Sequence, residues 1–173
     1  METPKAVKAP DTGRDSSFEH WYCHTYPSVL SALVLAVGDT DVAAEAAADA
    51  FAKALERWER VGSMDSPTGW TYTVALNLAR RRYRRAQIER GLRGQSDIAV
   101  VRPDALELWD AVRRLTRRQR TAVALSYLAD LPQREVARIM GVREGTVSAT
   151  LHEARSRLAA ALTEPPEEDD HAR

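Results

Sequence analysis

Residues Pro132–Leu158 read PQREVARIMGVREGTVSATLHEARSRL, and the fold is decided here. Pro132 suits the first turn of a helix, where its missing N–H costs nothing. Val136, Ala137, Ile139 and Met140 supply the buried side of that helix. Ala137 must be small if a second helix is to cross closely. Gly141 stands where a tight turn between helices needs a positive φ. Val147, Leu151, Ala154 and Leu158 then form one apolar stripe at helical spacing. The small residue, the turn glycine and the aliphatic anchor occupy the offsets of a helix-turn-helix. With the stripe inward, Thr146, Ala149, His152, Glu153 and Ser156 face outward. Those near the start of the helix can enter a major groove. Arg143, Arg155 and Arg157 can meet phosphates, which position a protein on a duplex without reading its sequence. The plainer reading of the same pattern is a helical hairpin inside an all-α protein.

Working outward, strand signals are nearly absent, and Ala, Leu, Arg and Glu favour helix throughout. The expected organisation begins with a disordered leader over 1–17. A helix follows, interrupted by Pro27 and ended by Gly38, with Val29, Leu30, Leu33 and Val37 on one face. Asp39-Thr40-Asp41 is an N-cap cluster for an alanine-rich helix over 41–58. The stretch ERVGSMDSP reads as a loop, and Ser66 caps a third helix with Pro67 in its first turn. The first block closes at 86. Residues 87–103 lose the helical period and read as a linker, which fully extended could reach roughly 60 Å. A second block spans 104–162, with helices near 104–115, 117–129, 132–140 and 144–162. An acidic tail occupies 163–173. The expected fold class is all-α: two small helical domains joined by a flexible linker, the C-terminal one a strandless, winged-helix-like helix-turn-helix.

The chain has 173 residues and a formal net charge of zero, from 25 basic and 25 acidic side chains. That balance conceals segregation, with arginines clustered at 80–85 and 113–120 and acid in the tail. Cys23 is the only cysteine, so no intrachain disulfide can form and a reducing compartment is expected. The polar N-terminus is unlike a signal peptide, and the patch VLSALVLAV is far short of a membrane span. The expected localisation is cytoplasmic, with the nucleoid. No carboxylate constellation or glycine-rich phosphate loop points to catalysis, so the chain reads as a non-enzyme with no cofactor. One alternative is a metal site at HWYCH, where His20, Cys23 and His24 could share a helix face.

The stretch NLARRRYRRAQ, Asn77–Gln87, holds five arginines in six positions. On its helix Trp70, Val74, Ala75 and Leu78 fall on one side. Tyr72, Leu76, Ala79 and Tyr83 form a second, weaker apolar stripe. Between them run Thr73, Asn77, Arg80 and Arg84, with Arg81 one turn after Asn77. Arginine forks hold phosphates, Thr73 and Asn77 can reach bases, and Trp70 and Tyr72 are candidates for stacking on unpaired bases. A solvated helix end with cations opposing its dipole would explain one or two of these arginines.

Taken together these motifs resemble the extracytoplasmic-function (ECF) sigma factors of bacterial RNA polymerase. The resemblance rests on GDTDVAAEAAADAFAKALER, on SPTGWTYTVALNLARRRYRR, and on the C-terminal stretch with its GTV and EAR motifs. It covers most of the chain from about Phe18 to Leu162 and implies a transcription initiation factor. The first helix of that set would dock on the polymerase clamp through Glu45, Ala48, Asp49, Ala52 and Lys53. The next helix would read the −10 strand through Trp70, Thr73, Asn77, Arg80, Arg81 and Arg84, helped by the loop 59–66. The helix-turn-helix would read the −35 duplex through Arg143, Glu144, Thr146, Ser148, Ala149, His152 and Arg155. Core RNA polymerase (clamp and flap), promoter DNA and an anti-sigma factor are the implied partners. Ala48 stands where the family usually has glutamine, and Ser148, Thr150 and Glu153 where it often has Lys or Arg. A stand-alone helix-turn-helix regulator, binding duplex DNA as a dimer, is the competing reading. It leaves Thr73, Asn77 and the arginine run without a role.

Overall fold

The computed structural model describes residues 12–90 and 106–163, with side chains over 17–85 and 108–163. Every element among them is helical: α1 Thr12–Val37, α2 Thr40–Glu56, α3 Trp58–Val61, α4 Pro67–Arg90, α5 Leu106–Arg114, α6 Arg117–Val123 running into a π-helical turn Ala124–Leu128, α7 Gln133–Met140 and α8 Glu144–Thr163. Helices α1–α4 make the first lobe and α5–α8 the second. The acidic tail beyond 163 and most of the expected linker lie outside the described residues.

Four features differ from the sequence expectation. Helix α1 begins at Thr12, inside the expected leader. Trp58 Nε1 donates to Ser17 Oγ at 3.3 Å and Phe18 packs edge-on against Trp58, so tertiary contacts hold this turn. The same helix runs through Pro27 without a break. An interior proline costs about 3 kcal/mol, but the ten residues after it carry the core face, with Val29, Leu33, Val34, Leu35 and Val37 all buried. Finally, α4 extends to Arg90, so the first residues assigned to the linker are helical, and part of the expected loop forms α3.

The capping chemistry expected at Gly38, Asp39 and Ser66 is present, and the structure adds a fourth cap at Thr116. Gly38 adopts φ 76° and closes α1 with its N–H on the Val34 carbonyl. Asp39 Oδ1 accepts from Val42 N–H at 2.9 Å and starts α2. Ser66 Oγ accepts from Gly69 N–H at 3.0 Å and starts α4. Thr116 and Gln119 form a reciprocal capping box on α6.

In the second lobe the helix-turn-helix stands as expected. Gly141 is left-handed at φ 68°, while Val136, Ala137, Val147, Leu151 and Ala154 are buried beneath the crossing of α7 and α8. A Cβ at Gly141 would meet nothing within 4 Å, so backbone strain alone opposes a side chain there. Gly141→Ala should therefore destabilise the protein by about 1–2 kcal/mol, read as a lowered midpoint in urea. Gly141→Asn should lose less, because asparagine tolerates this conformation.

The two lobes do not stand apart. Helix α1 packs against α6 and the π-turn, and α4 packs against α7. One hydrophobic cluster runs from Val29, Leu33 and Tyr72 to Leu115, Leu125, Val136 and Leu151.

Candidate nucleic-acid interface

Helix α4 sorts its residues by phase. Thr71, Tyr72, Ala75, Leu76 and Ala79 are buried, whereas Trp70, Val74 and Leu78 are half-buried. The stripe expected to be the weaker is thus the true core face. Tyr72 is 0 % exposed and cannot stack on a base, which corrects that expectation. Its phase with Ala75, Leu76 and Ala79 puts it inside. There its hydroxyl donates to Ser28 Oγ at 3.4 Å, and Ser28 donates onward to the Thr25 carbonyl at 3.0 Å. Burial pushes the Tyr72 phenol up to about 12, slightly offset by the Ser28 bond. Trp70 packs on a separate cluster formed by Ala54, Trp58 and Val61.

The polar face keeps its order. Asn77, Arg81 and Arg84 are exposed and Thr73 and Arg80 half-buried. Thr73 Oγ1 donates to the Gly69 carbonyl at 2.9 Å, leaving its hydroxyl oxygen able to accept. Arg84 Nε donates to the Arg80 carbonyl at 3.3 Å, which lays that guanidinium along the helix.

Arg82 has a different task, which the sequence reading missed. Its Nη2 lies 2.6 Å from Asp49 Oδ2 and its Nε 3.2 Å from Glu45 Oε2. One arginine of α4 therefore ties down both carboxylates expected to face the polymerase. The sequence carried a signal: Arg82 lies three residues after Ala79 and four after Leu78, in phase with the packed side rather than with Asn77. Along the same outer face of α2, Ala48 and Ala52 are exposed and Lys53 half-buried.

On α8, Ser148, Ala149, His152, Glu153, Arg155, Ser156 and Arg157 are exposed, as are Arg143 and Glu144 ahead of them. Thr146 is half-buried, and its carbonyl accepts from Thr150 Oγ1 at 2.7 Å. Thr150 is buried. Glu153 gains a structural role: its Oε2 accepts from Gln119 Nε2 at 3.3 Å, while Arg157 Nη1 donates to Gln119 Oε1 at 3.2 Å. The buried amide of Gln119 both caps α6 and fixes two side chains of α8, which its exposed-looking arginine-rich surroundings concealed in the sequence.

At the start of the chain, His24 Nδ1 lies 2.8 Å from the His20 carbonyl and Cys23 is exposed. Among the described residues no group of three or more His, Cys, Asp or Glu side chains could hold a metal ion. None of the described helices is long and apolar enough to cross a membrane.

One chain thus carries a polar, arginine-rich helix face and a helix-turn-helix. Residues 21–88 match the model of sigma-70 region 2, and residues 105–158 match that of sigma-70 region 4. The chain belongs to the sigma-70 family. Its similarity extends to the ECF RNA polymerase sigma factor BldN of Streptomyces coelicolor, 27% identical over 90% of this chain and 64% of that protein. It also extends to the RNA polymerase sigma-E factor of Streptomyces antibioticus, 28% identical over 65% of this chain and 66% of that protein. This sigma-70 chain spans less than two thirds of the length of the first curated relatives it matches. Among solved structures, the sigma factor RpoE in its complex with the anti-sigma factor NepR, from Bartonella quintana, superposes with a TM-score of 0.70. It is 23% identical, over 85% of this chain and 97% of that one. That likeness places the sigma-70 chain in the same two-lobed helical fold.

Proposed function

We propose that this protein is a transcription initiation factor of the ECF type. It binds core RNA polymerase and directs it to specific promoters, the first lobe engaging the −10 element and the second the −35 element. The observation that carries the reading is the pairing, within one chain and in family order, of the exposed Asn77–Arg81–Arg84 face of α4 with the exposed start of α8. A regulator that acts alone through its helix-turn-helix needs only the second of these surfaces. Two modest DNA contacts held by one tether gain about two to four orders of magnitude in avidity.

In this assignment Thr73 and Asn77 read unpaired −10 bases, and Arg80, Arg81 and Arg84 hold the backbone. Trp70 presents only a half-buried ring to that strand. Arg143, Glu144, Thr146, Ser148, Ala149, His152 and Arg155 face the −35 duplex. Glu45, Ala48, Asp49, Ala52 and Lys53 form the polymerase-docking face, with Arg82 holding its two carboxylates in place. The clamp and flap of the polymerase and promoter DNA are the proposed partners, and the family resemblance adds an anti-sigma factor. The protein supplies specificity, and the polymerase supplies the chemistry.

Run-off transcription with core polymerase on a promoter library tests the proposal. RNA should start at defined positions only when the protein is present. Core polymerase that neither captures the protein nor gains a start site would refute it. Arg81→Ala should weaken promoter engagement and reduce the slope of log affinity against log salt by about one unit, the value of one phosphate contact. An unchanged slope would leave Arg81 in solvent.

A further inference from the structure

The start of α6 and one flank of α8 meet on a single buried amide. Gln119 is 3 % exposed, and both polar atoms of its side chain are engaged. Its Oε1 accepts from the Thr116 N–H at 3.1 Å and from Arg157 Nη1 at 3.2 Å, while its Nε2 donates to Glu153 Oε2 at 3.3 Å. The backbone N–H of the same residue donates to Thr116 Oγ1 at 3.3 Å and completes the capping box. A capping box takes glutamine or glutamate at this position, since either offers the accepting oxygen. Only the bond to Glu153 tells them apart, because a carboxylate has no N–H to give.

Helical phase places the two residues that Gln119 holds. Helix α8 buries Val147, Leu151 and Ala154, and Ala149, His152 and Ser156 lie on the opposite side. Glu153 and Arg157, one turn apart, occupy the flank between, where α8 packs on α6. Both are exposed along their length, yet each is anchored at its tip to the buried amide. A glutamate on this flank is a liability for a helix that lies against phosphates, since like charges repel. Gln119 gives the carboxylate a donor at the seam with α6, and Arg157, on the other end of the amide, supplies the compensating charge.

We propose that Gln119 is a positioning residue for the contact of α8 with promoter phosphates: its buried amide draws the Glu153 carboxylate to the α6–α8 seam, with Arg157 held beside it, and so clears an acidic side chain from the duplex-facing surface. This role rests on the promoter reading above. It accounts for glutamate at position 153, where the family resemblance leads one to expect lysine or arginine.

A double-mutant cycle on the holoenzyme tests it, with core polymerase and a promoter recovered from the run-off library. Glu153→Gln alone should change promoter affinity by less than about twofold, the margin within which uncoupled changes add, because the carboxylate it removes is already off the duplex. Gln119→Glu keeps an acceptor for Thr116 and Arg157 but faces Glu153 with a second carboxylate. The released Glu153 should weaken promoter binding by about three- to thirtyfold, the range for one charge near phosphates at a protein surface. In that background Glu153→Gln should restore affinity, because amide and carboxylate have exchanged places and the bond forms again. A Gln119 with only a structural role leaves the effect at 153 independent of the residue at 119. A long-range effect of the added charge gives Glu153→Gln the same fold-change in both backgrounds. Either result overturns the proposal. So does a rise in affinity of more than about twofold on Glu153→Gln in the parent, a measurement that needs no buried substitution.

The free protein reports on the clasp separately. In nuclear magnetic resonance spectra the Gln119 side-chain amide should exchange slowly with water and shift in Glu153→Ala. Exchange as fast as that of a surface glutamine, or a resonance indifferent to Glu153→Ala, overturns the clasp whatever happens with polymerase. Where these signatures are present and core polymerase with the parent gives no start site, the promoter reading has failed and the role at the phosphates falls with it.

Discussion

Tyr72→Ala is expected to lower the unfolding free energy by about 3–5 kcal/mol, the cost of emptying a large aromatic site in a packed core. Tyr72 is wholly buried and its hydroxyl is anchored through Ser28 to the Thr25 carbonyl. It also belongs to the cluster that runs across both lobes, so the loss should appear in a single denaturation transition monitored over the whole protein. Tyr72→Phe separates ring from hydroxyl. At neutral pH it should cost no more than about 1.5 kcal/mol, the net value of one hydrogen bond. Alkaline titration gives the sharper contrast. The unfolded phenol ionises near 10.0 and the folded one at about 12. The folded value is the higher, so the contribution is complete below pH 10 and is lost as pH climbs through 12. Tyr72→Phe should lack that decline. If parent and variant lose stability in parallel across this interval, the phenol is not sequestered as described.

Asn77→Ala should reduce open-complex formation by about five- to 150-fold, the equivalent of the 1–3 kcal/mol carried by a good side-chain contact to a base. Asn77 is exposed, so the change should leave stability within about 0.5 kcal/mol of the parent. Permanganate reactivity of melted thymines measures the opening, and fluorescence anisotropy with labelled core polymerase measures docking. The reading requires the first to fall while the second holds. An equal loss in both would move Asn77 from the bases to the polymerase, and no loss in either would leave it in solvent.

Much of this was readable from local rules. Asp39, Ser66 and Gly141 sit where capping and turn chemistry place them, because each acts on groups within a few residues of itself. The helix-turn-helix was legible for the same reason, with Val136, Val147 and Leu151 buried at the positions their spacing requires. On α4 the period identified two apolar stripes but ranked them in the wrong order. Two adjacent stripes differ by only a fraction of a turn, and only the neighbours choose between them. Ser28 and Phe51, contributed by α1 and α2 to the core around Tyr72, belong to distant parts of the chain. Pro27 is the same lesson in reverse, a local breaker overridden by the buried helix that follows it.

What the sequence determined by itself is the main helices, the caps and turns at Gly38, Asp39, Ser66 and Gly141, and the two surfaces rich in arginine and hydrogen-bonding side chains. These depend on near-neighbour stereochemistry and on periodicity, both of which are written along the chain. What only the tertiary structure decided is which charges are spent inside the protein. Arg82 is committed to Glu45 and Asp49, Glu153 to Gln119, and Arg117 to Tyr83. Each of these pairs joins residues more than thirty positions apart, and an arginine in a basic run looks the same in sequence whether its partner is a phosphate, a carboxylate or an aromatic ring. Only packing brings the partner within reach and removes the water that would otherwise compete for it.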